Sequence, residues 1–426
     1  MRKAEDRRHF ARRRIRVAAG GRGPFATPRR CRPASDDSVG DGTSLSSPDA
    51  LIPRPLTGTS VFRNPYFATR NPKPATQIME RRELVRRAIE FQHPPRLPFW
   101  QHWNHKLPEF PDDVCNIWEM DRAQAGWFFD RPGPDDWGCG WSTTELKNIG
   151  QVTDCPLSDW SALDGYRPPD PRNPFYYERL EPLLDEAGDR YVALTAHSLL
   201  FSRLHKLRGF TQTLEDFYLE PEKTGRVLDM IVEFKVQQCA ELHRRFGERI
   251  DALFVADDWG TQEQTFVGPN ILRDFFAPRY KTIFEAIHAC GWHVILHSCG
   301  RINAFVPTFL ELGVDVLNMQ QSRSYGLVEF GEQFRGQVCF LATVDIQTTL
   351  PRGDEREIRE EARQLVRHWS TPAGGMIAFD YGAWDAVGVQ PEAPRIMFDE
   401  FARLSRFWSS QQEGAHGPSG PLDRCS

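Results

Sequence analysis

Short apolar segments alternate with longer amphipathic segments from residue 190 to residue 408. The short segments are rich in β-branched and aromatic residues, as expected for parallel strands that are covered on both faces. They are residues 190–197, 251–257, 292–298, 314–319, 338–345 and 375–380. Helical periodicity marks the segments between them, such as 221–246, 269–290 and 354–369. This succession of strand–helix units favours an α/β fold, a TIM-type (β/α)8 barrel, with a doubly wound sheet as the alternative.

The ends of the chain differ from this central region in composition. Residues 1–78 contain 16 Lys and Arg residues but 6 Asp and Glu residues, and they show no sustained strand or helix period. We expect a disordered basic extension over 1–78, a barrel over 79–410 and a disordered tail over 411–426. For residues 1–78, a transit peptide, a basic interaction arm or an upstream start codon are alternatives, since Met79 opens an amphipathic helix.

Charge and cysteine usage restrict the class of protein. The whole chain has a formal net charge of −5 although its first 78 residues are basic, so its main body is acidic, which argues against nucleic acid as a partner. No apolar run approaches the roughly 20 residues that span a bilayer. The nine cysteines are scattered without CxxC pairs, which is typical of reduced thiols. We therefore expect a cytoplasmic protein that does not bind membranes.

Polar residues collect where the predicted strands end. Active sites of (β/α)8 barrels lie at the C-terminal ends of the strands, so this convergence predicts an enzyme with a small-molecule substrate. The residues concerned, in chain order, are His197, Asp257, Asp258, Trp259, Gln262, His297, Cys299, Asn318, Gln320, Gln321, Asp345, Gln347, Asp380 and Tyr381.

His297 and Cys299 are the first candidates for a metal site. They are two positions apart on a predicted strand and therefore point to the same side. This spacing suits two ligands of one zinc ion, but a catalytic zinc site needs a third protein ligand from another strand end. Asp380 could supply an oxygen for that purpose. The alternative is a hydrogen-bonded histidine packed beside a buried thiol.

Two further groups are candidates for catalysis and binding. Asp257 and Asp258 alternate sides, so one of them faces the barrel mouth, where a carboxylate beside a tryptophan can act as an acid or base. Capping of loop N–H groups is the alternative role. The segment FWQHWNHKLPEF contains His102, Trp103 and His105, which could line a pocket or simply pack.

From Met79 to Arg406 the chain resembles the uroporphyrinogen decarboxylase superfamily, which includes the haem-pathway decarboxylase and the cobalamin- and corrinoid-dependent methyltransferases. The resemblance rests on the opening helix with its Arg96-x-Pro98 turn and on a series of later motifs. These motifs are DDWGCGW (135–141), GQVTDCPLSDWSALDGYRPPDP (150–171), DDWGTQ (257–262), HSCG (297–300), GVDVLN (313–318) and VDIQTTLPRG (344–353). The resemblance implies a TIM barrel.

Within the superfamily, HSCG is similar to the methyltransferase branch, in which His-x-Cys and a later Cys hold zinc. His297 and Cys299 match that motif, whereas Asp380 and Tyr381 stand where the later Cys is expected. The decarboxylase binds its acidic substrate through arginines in one segment, and the corresponding segment of this chain has His102, Asn104 and His105 instead. The resemblance therefore implies a metal-assisted methyltransferase that works with a corrinoid on a partner protein. Cofactor-free decarboxylation of a porphyrinogen is the alternative, and a non-catalytic barrel that binds a ligand or a corrinoid protein is a third.

These considerations give a set of expected site residues. His297, Cys299 and Asp380 are the expected metal ligands, and Asp258, His297 and Asp380 are the expected catalytic groups. The expected substrate-binding residues are His102, Trp103, His105, His197, Trp259, Gln262, Gln320, Asp345 and Tyr381. The resemblance also implies a homodimer.

Overall fold

The computed structural model describes residues 79–102, 105–118, 134–142, 150–196 and 198–415, and it describes the side chains of the last helix as far as Ser405. The extension predicted for residues 1–78 lies outside these ranges, as do Trp103 and His197. Within these ranges, no helix is both long enough and apolar enough to cross a membrane.

Ten β-strands lie in the described ranges. They are β1 (Phe99–Trp100), β2 (Val114–Ile117), β3 (Gly140–Ser142), β4 (Gln151–Asp154), β5 (Tyr191–Thr195), β6 (Ala252–Ala256), β7 (His293–His297), β8 (Val316–Met319), β9 (Cys339–Ala342) and β10 (Met376–Phe379). Eight of them are parallel and hydrogen-bonded in the order β1-β10-β9-β8-β7-β6-β5-β2, and β3 and β4 form a separate antiparallel pair.

The two terminal strands of the eight-stranded sheet come together. The backbone N–H of Asp113, just before β2, donates a hydrogen bond of 2.8 Å to the carbonyl of Phe99 in β1. The sheet is therefore a nearly closed barrel, which confirms the predicted TIM-type fold. The six strands predicted from β5 onward are confirmed. The strands β1 and β2 give no clear signal in the sequence, because they are short and lie among loops rich in proline and tryptophan.

Helices surround the barrel and connect its strands. They are Arg81–Ile89, Leu180–Glu186, Phe201–Arg208, Phe210–Leu219, Pro221–Phe246, Pro269–Ile271, Ala277–Ala289, Val306–Glu311, Ser322–Tyr325, Leu327–Phe334, Thr349–Arg352, Glu355–Trp369, Trp384–Val387 and Glu392–Ala415. A π-helical turn, Leu272–Phe276, interrupts the predicted helical segment 269–290 just before Pro278. Pro278 itself lies in the first turn of the next helix, where its missing N–H removes no helical hydrogen bond.

The barrel encloses a separate inner core. Its buried side chains come from alternate positions of the strands and from the first helix. They are Val85, Ile89, Trp100, Val114, Tyr191, Ala193, Ala252, Phe254, Ile295, Val316, Cys339, Leu341, Ile377 and Phe379. Because Val85 and Ile89 belong to this group, the helix Arg81–Ile89 closes the N-terminal end of the barrel. The opposite, C-terminal end, here called the mouth, carries the candidate site.

A buried carboxylate ties the first helix to the strands. Asp251, whose side chain is 1% exposed, accepts hydrogen bonds from Arg82 Nε (2.8 Å) and Arg86 Nη2 (3.0 Å). Its Oδ2 also accepts the backbone N–H of Val192 in β5 (2.9 Å). One side chain therefore joins the helix Arg81–Ile89 to two neighbouring strand starts.

We expect the substitution Asp251→Ala to destabilise the protein by about 3 kcal/mol, because it leaves two partly buried guanidinium groups and a backbone N–H without their acceptor. Urea unfolding followed by circular dichroism measures the change. Asp185→Ala is the matched control, since Asp185 is an exposed partner of Arg249, and it should cost no more than about 1 kcal/mol. Equal losses in the two variants would contradict this role for Asp251.

Candidate functional site

Side chains that point into the barrel can be followed along each strand to the mouth. Phe254, Ile295, Val316 and Phe379 belong to the inner core. Because successive side chains of a strand point to opposite sides, residues two or four positions further along also face inward. These residues are Asp258 after β6, His297 and Cys299 in and after β7, Asn318 in β8 and Tyr381 after β10.

Three of these residues form one cluster. His297 Nε2 lies 3.3 Å from Cys299 Sγ and 3.5 Å from Asp258 Oδ1, and the three potential ligand atoms all lie within 4.8 Å of one another. The backbone N–H of Cys299 donates to Asp258 Oδ1 at 2.8 Å. The predicted pair of His297 and Cys299 is thus brought together, with Asp258 as the third member of what we call the Asp258–His297–Cys299 cluster.

The spacing of the cluster fits a tetrahedral metal ion. Zinc bonds of about 2.0–2.3 Å at the tetrahedral angle separate a nitrogen ligand from a sulfur ligand by about 3.6 Å and from an oxygen ligand by about 3.4 Å. The corresponding separations here are 3.3 Å and 3.5 Å. Imidazole, thiolate and carboxylate are all zinc ligands, and three protein ligands leave a fourth position for a substrate.

Asn318 orients the imidazole of His297. The Asn318 side-chain N–H donates to the carbonyl of Leu341 (3.1 Å), so its Oδ1 faces His297 Nδ1 at 2.8 Å. Gln320 Nε2 donates to the same Oδ1 (2.9 Å). His297 Nδ1 must therefore carry the proton, which directs the lone pair of Nε2 at Cys299 and Asp258. Metal-binding histidines commonly have such a hydrogen-bonded partner behind them.

The charges at the cluster favour a cation. Burial opposes ionisation of Asp258, but its electrostatic interaction with His297 and the hydrogen bond from the Cys299 N–H outweigh this effect, so the pKa of Asp258 lies below its ordinary value. Burial, together with the charge of Asp258, raises the pKa of Cys299 well above its ordinary value. The thiol therefore keeps its proton at neutral pH unless a nearby cation stabilises the thiolate.

Asp257, the neighbour of Asp258, faces away from the mouth. Its buried carboxylate accepts the backbone N–H groups of Leu200 (2.7 Å), Phe201 (3.1 Å) and Ser202 (2.7 Å). It thus caps the helix Phe201–Arg208, which is the alternative role considered for this pair of aspartates. One aspartate caps and the other faces the site, as their alternation requires.

Tyr280 holds both neighbours of Asp258. Its hydroxyl donates to Asp257 Oδ2 (2.5 Å) and accepts a hydrogen bond from Trp259 Nε1 (3.0 Å). Trp259 is fully buried and stacks on Phe201 with ring centroids 4.2 Å apart. Trp259, one of the expected substrate-binding residues, therefore packs behind the strand end. No sequence motif marked Tyr280, which lies in the first turn of the helix Ala277–Ala289.

Asp380, one of the expected metal ligands, has its hydrogen-bond partners elsewhere. Because Phe379 points inward, Asp380 points outward, and its Oδ1 accepts Trp384 Nε1 (2.8 Å) and the Gly382 N–H (3.2 Å). It does not belong to the Asp258–His297–Cys299 cluster. Burial raises the pKa of Asp380 to about 6. Tyr381, the next residue, is the one that faces the mouth.

The other predicted binding residues have varied positions. Gln320 supports Asn318, and Gln262 Nε2 donates to Gln321 Oε1 (3.4 Å). Asp345 is buried and accepts the backbone N–H groups of Gln347 (3.0 Å) and Thr348 (2.8 Å), so it caps a turn. Trp103 and His197 lie outside the described residues.

His102 and His105 pack at the mouth near β1. Burial, with the charges of His105 and Lys106, lowers the pKa of His102 to about 4, so its imidazole is neutral at pH 7. Its ring lies directly against Gly382, where any Cβ would overlap it. The ring of His105 stacks on Trp384 with centroids 4.0 Å apart. Both histidines thus contact the segment that follows β10.

Gly300 ends the HSCG motif for a steric reason. Its φ of +80° disfavours other residues, and a Cβ there would lie 2.1 Å from the carbonyl oxygen of Gly260. The backbone N–H of Gly260 donates to the Cys299 carbonyl (3.2 Å). The chain segments after β6 and β7 therefore touch, which brings Asp258 next to Cys299.

The protein is thus a parallel (β/α)8 barrel with a cluster of potential metal ligands at its mouth. The family model "Uroporphyrinogen decarboxylase (URO-D)" matches residues 133–402, more than half of the 426-residue chain. The chain therefore belongs to the uroporphyrinogen decarboxylase family, as its motifs predicted.

Comparison with solved structures supports the fold. A methyltransferase from Methanosarcina mazei superposes with a TM-score of 0.56 at 14% sequence identity, covering 77% of this chain and 99% of that one. At this identity the likeness establishes the shared fold. No curated protein sequence matches the chain.

We expect Tyr280→Phe to destabilise the protein by about 1–2 kcal/mol, because Asp257 loses a donor and the buried Trp259 N–H loses its acceptor. The free energy of unfolding in urea measures the effect. Tyr218→Phe serves as the control, because Tyr218 is 70% exposed, and it should leave stability unchanged. A Tyr280→Phe variant as stable as that control would show that the hydroxyl does not fix this strand end.

Asp380 should make stability depend on pH. Its pKa rises from 3.8 to about 6 on folding, so the folded protein binds a proton that the unfolded chain releases within this window. Stability contributed by Asp380 is therefore full at low pH and falls as the pH rises towards about 6. Urea unfolding of the wild type and of Asp380→Asn across this window should show the wild type losing stability relative to the variant. A relative gain by the wild type would contradict the shift.

Proposed function

We propose that the Asp258–His297–Cys299 cluster binds zinc and that the protein is a methyltransferase, which exchanges a methyl group between a small molecule and a corrinoid carried by a partner protein. The observation that carries this proposal is the convergence of a nitrogen, a sulfur and an oxygen donor at ligand spacing at the barrel mouth. The membership of the chain in a family that includes methyltransferases supports it, as does the fold shared with the M. mazei methyltransferase.

The residues of the chain have separate tasks in this proposal. His297, Cys299 and Asp258 bind the metal, with Asn318 holding the imidazole in the required tautomer. Bound zinc supplies a Lewis acid that lowers the pKa of a coordinated group. Tyr381 lies two positions after the inward-facing Phe379 and packs against the inner core, so it faces the mouth; burial, followed by the charges of Cys299 and Asp258, raises its pKa. Its hydroxyl is placed to hydrogen-bond a substrate.

Cobalt substitution tests the metal site directly. The wild type should bind about one equivalent of Co²⁺ and show thiolate-to-cobalt absorption in the near ultraviolet. Cys299→Ser should abolish this band, and His297→Ala and Asp258→Asn should weaken cobalt binding by about tenfold or more. Asp380→Asn is the matched control, a carboxylate of the same mouth that lies outside the cluster, and it should bind like the wild type. A wild type without the band, or loss of binding only in Asp380→Asn, would refute the site.

Product analysis then tests the reaction. Methylcobalamin, used as a soluble substitute for a corrinoid protein, should transfer its methyl group to a small thiol, which releases its proton, and become cob(I)alamin in the presence of the zinc-loaded wild type but not with Cys299→Ser. The alternative is decarboxylation without a cofactor. Release of CO2 from uroporphyrinogen III by the wild type, lost in Asp258→Asn and retained in Cys299→Ser, would establish that alternative and overturn methyl transfer.

A further inference from the structure

A helix beside the cluster brings a lysine to the mouth. The helix Phe201–Arg208 follows β5, and its N-terminus is held by Asp257. The backbone N–H of Asp258 in turn donates to Ser202 Oγ (3.4 Å). Lys206 lies four residues after Ser202 and therefore on the same face of the helix. The face that touches the metal-ligand segment is thus also the face that carries Lys206.

The ammonium group of Lys206 lacks a counter-ion. Its Nζ donates to Ser198 Oγ (2.5 Å) and lies 5.3 Å from the centroid of the Trp141 ring. Within the described part of the chain, no carboxylate lies within ion-pair distance of it. The other cations of this helix differ, since Arg203 pairs with Asp135 (3.0 Å) and Arg208 pairs with Asp216 (2.6 Å).

The surroundings of Lys206 make its positive charge unfavourable in the absence of a ligand. Burial, reinforced by the charge of Arg203, lowers the pKa of Lys206 to about 8, although Asp258 and Asp135 partly offset the effect. At neutral pH the side chain still carries its proton. A charge withdrawn from water without a charged partner costs free energy, and residues that weaken the fold in this way are typical of binding sites.

We propose that Lys206 and Ser198 form a binding subsite for an oxyanion, the carboxylate of a small acidic substrate whose reacting end lies at the Asp258–His297–Cys299 cluster. The ammonium would supply the charge, the buried Ser198 hydroxyl a second hydrogen bond, and the Trp141 ring an apolar wall. The assignment of the reacting end rests on the proposed function, whereas the subsite itself rests on the contacts of Lys206.

Binding of simple probes tests the subsite without knowledge of the substrate. Ligand-observed NMR titrations of the zinc-reconstituted protein would compare acetate, propionate and butyrate with the corresponding amides, which have nearly the same shape but no charge. The wild type should prefer the carboxylates. Lys206→Met should bind them at least about tenfold more weakly and bind the amides unchanged, while Lys206→Arg should keep part of the preference.

Two controls separate binding from packing. Lys281→Gln removes a lysine that is 64% exposed on another helix, and it should leave carboxylate binding unchanged. Thermal unfolding of Lys206→Met provides the second control. Since the variant removes an uncompensated charge, its midpoint should equal or exceed that of the wild type. A marked loss of stability without loss of carboxylate preference would show that Lys206 is only a packing residue and would overturn the proposal.

The outcomes also distinguish this subsite from the proposed function. Cys299→Ser should still prefer carboxylates, because Lys206 is not a metal ligand. Failure of metal binding combined with a Lys206-dependent carboxylate preference would therefore overturn the metal site alone. Inorganic phosphate is a further probe, and tighter binding of phosphate, lost in Lys206→Met, would support the oxyanion subsite and assign it to a phosphorylated substrate. A wild type that does not discriminate propionate from propionamide would overturn the subsite.

Discussion

The geometry of the site depends on the hydrogen bonds that the carboxylate of Asp257 accepts. It accepts three successive backbone N–H groups at the start of the helix Phe201–Arg208 and the hydroxyl of Tyr280. Such a buried acceptor is stable because both of its oxygens accept hydrogen bonds. The Asp257 carboxylate fixes the end of β6 against two helices, and this determines the orientation of the neighbouring Asp258 side chain. Asp258 must point to the mouth, where the chain after β7 presents His297 and Cys299.

The hydrogen bonds of Asp257 also connect the end of β6 to the helix Ala277–Ala289. Tyr280 reaches Asp257 from the helix Ala277–Ala289 and simultaneously accepts the indole N–H of Trp259. The residues on both sides of Asp258 are thus bound by one hydroxyl. A π-helical turn, Leu272–Phe276, precedes this helix. π-Helical turns of this kind are frequent near functional sites. Rigid support of this kind is what a metal-binding cluster requires.

The sequence predicted the strands from β5 onward and the pairing of His297 with Cys299, because strand periodicity and a two-residue spacing are local properties. It could not choose between Asp257, Asp258 and Asp380 as the third group. That choice depends on which side of each strand faces inward, and β6 and β10 are apolar on both sides. Only the packing of Phe254 and Phe379 in the inner core decides it. Lys206 and Tyr280 gave no signal, since both lie on helices outside any motif.

Charge balance connects the two proposals. The cluster offers two anionic ligands, Asp258 and Cys299, and one neutral ligand, His297, so a divalent metal bound there would be neutral overall. Lys206 then adds one positive charge at the mouth, and no carboxylate of the described residues lies within ion-pair distance of it. A substrate with a single negative charge completes the balance, and a neutral substrate would leave the ammonium uncompensated as water is excluded. Because electrostatic interactions strengthen in a desolvated site, this single charge would favour small acidic substrates over neutral analogues of the same shape.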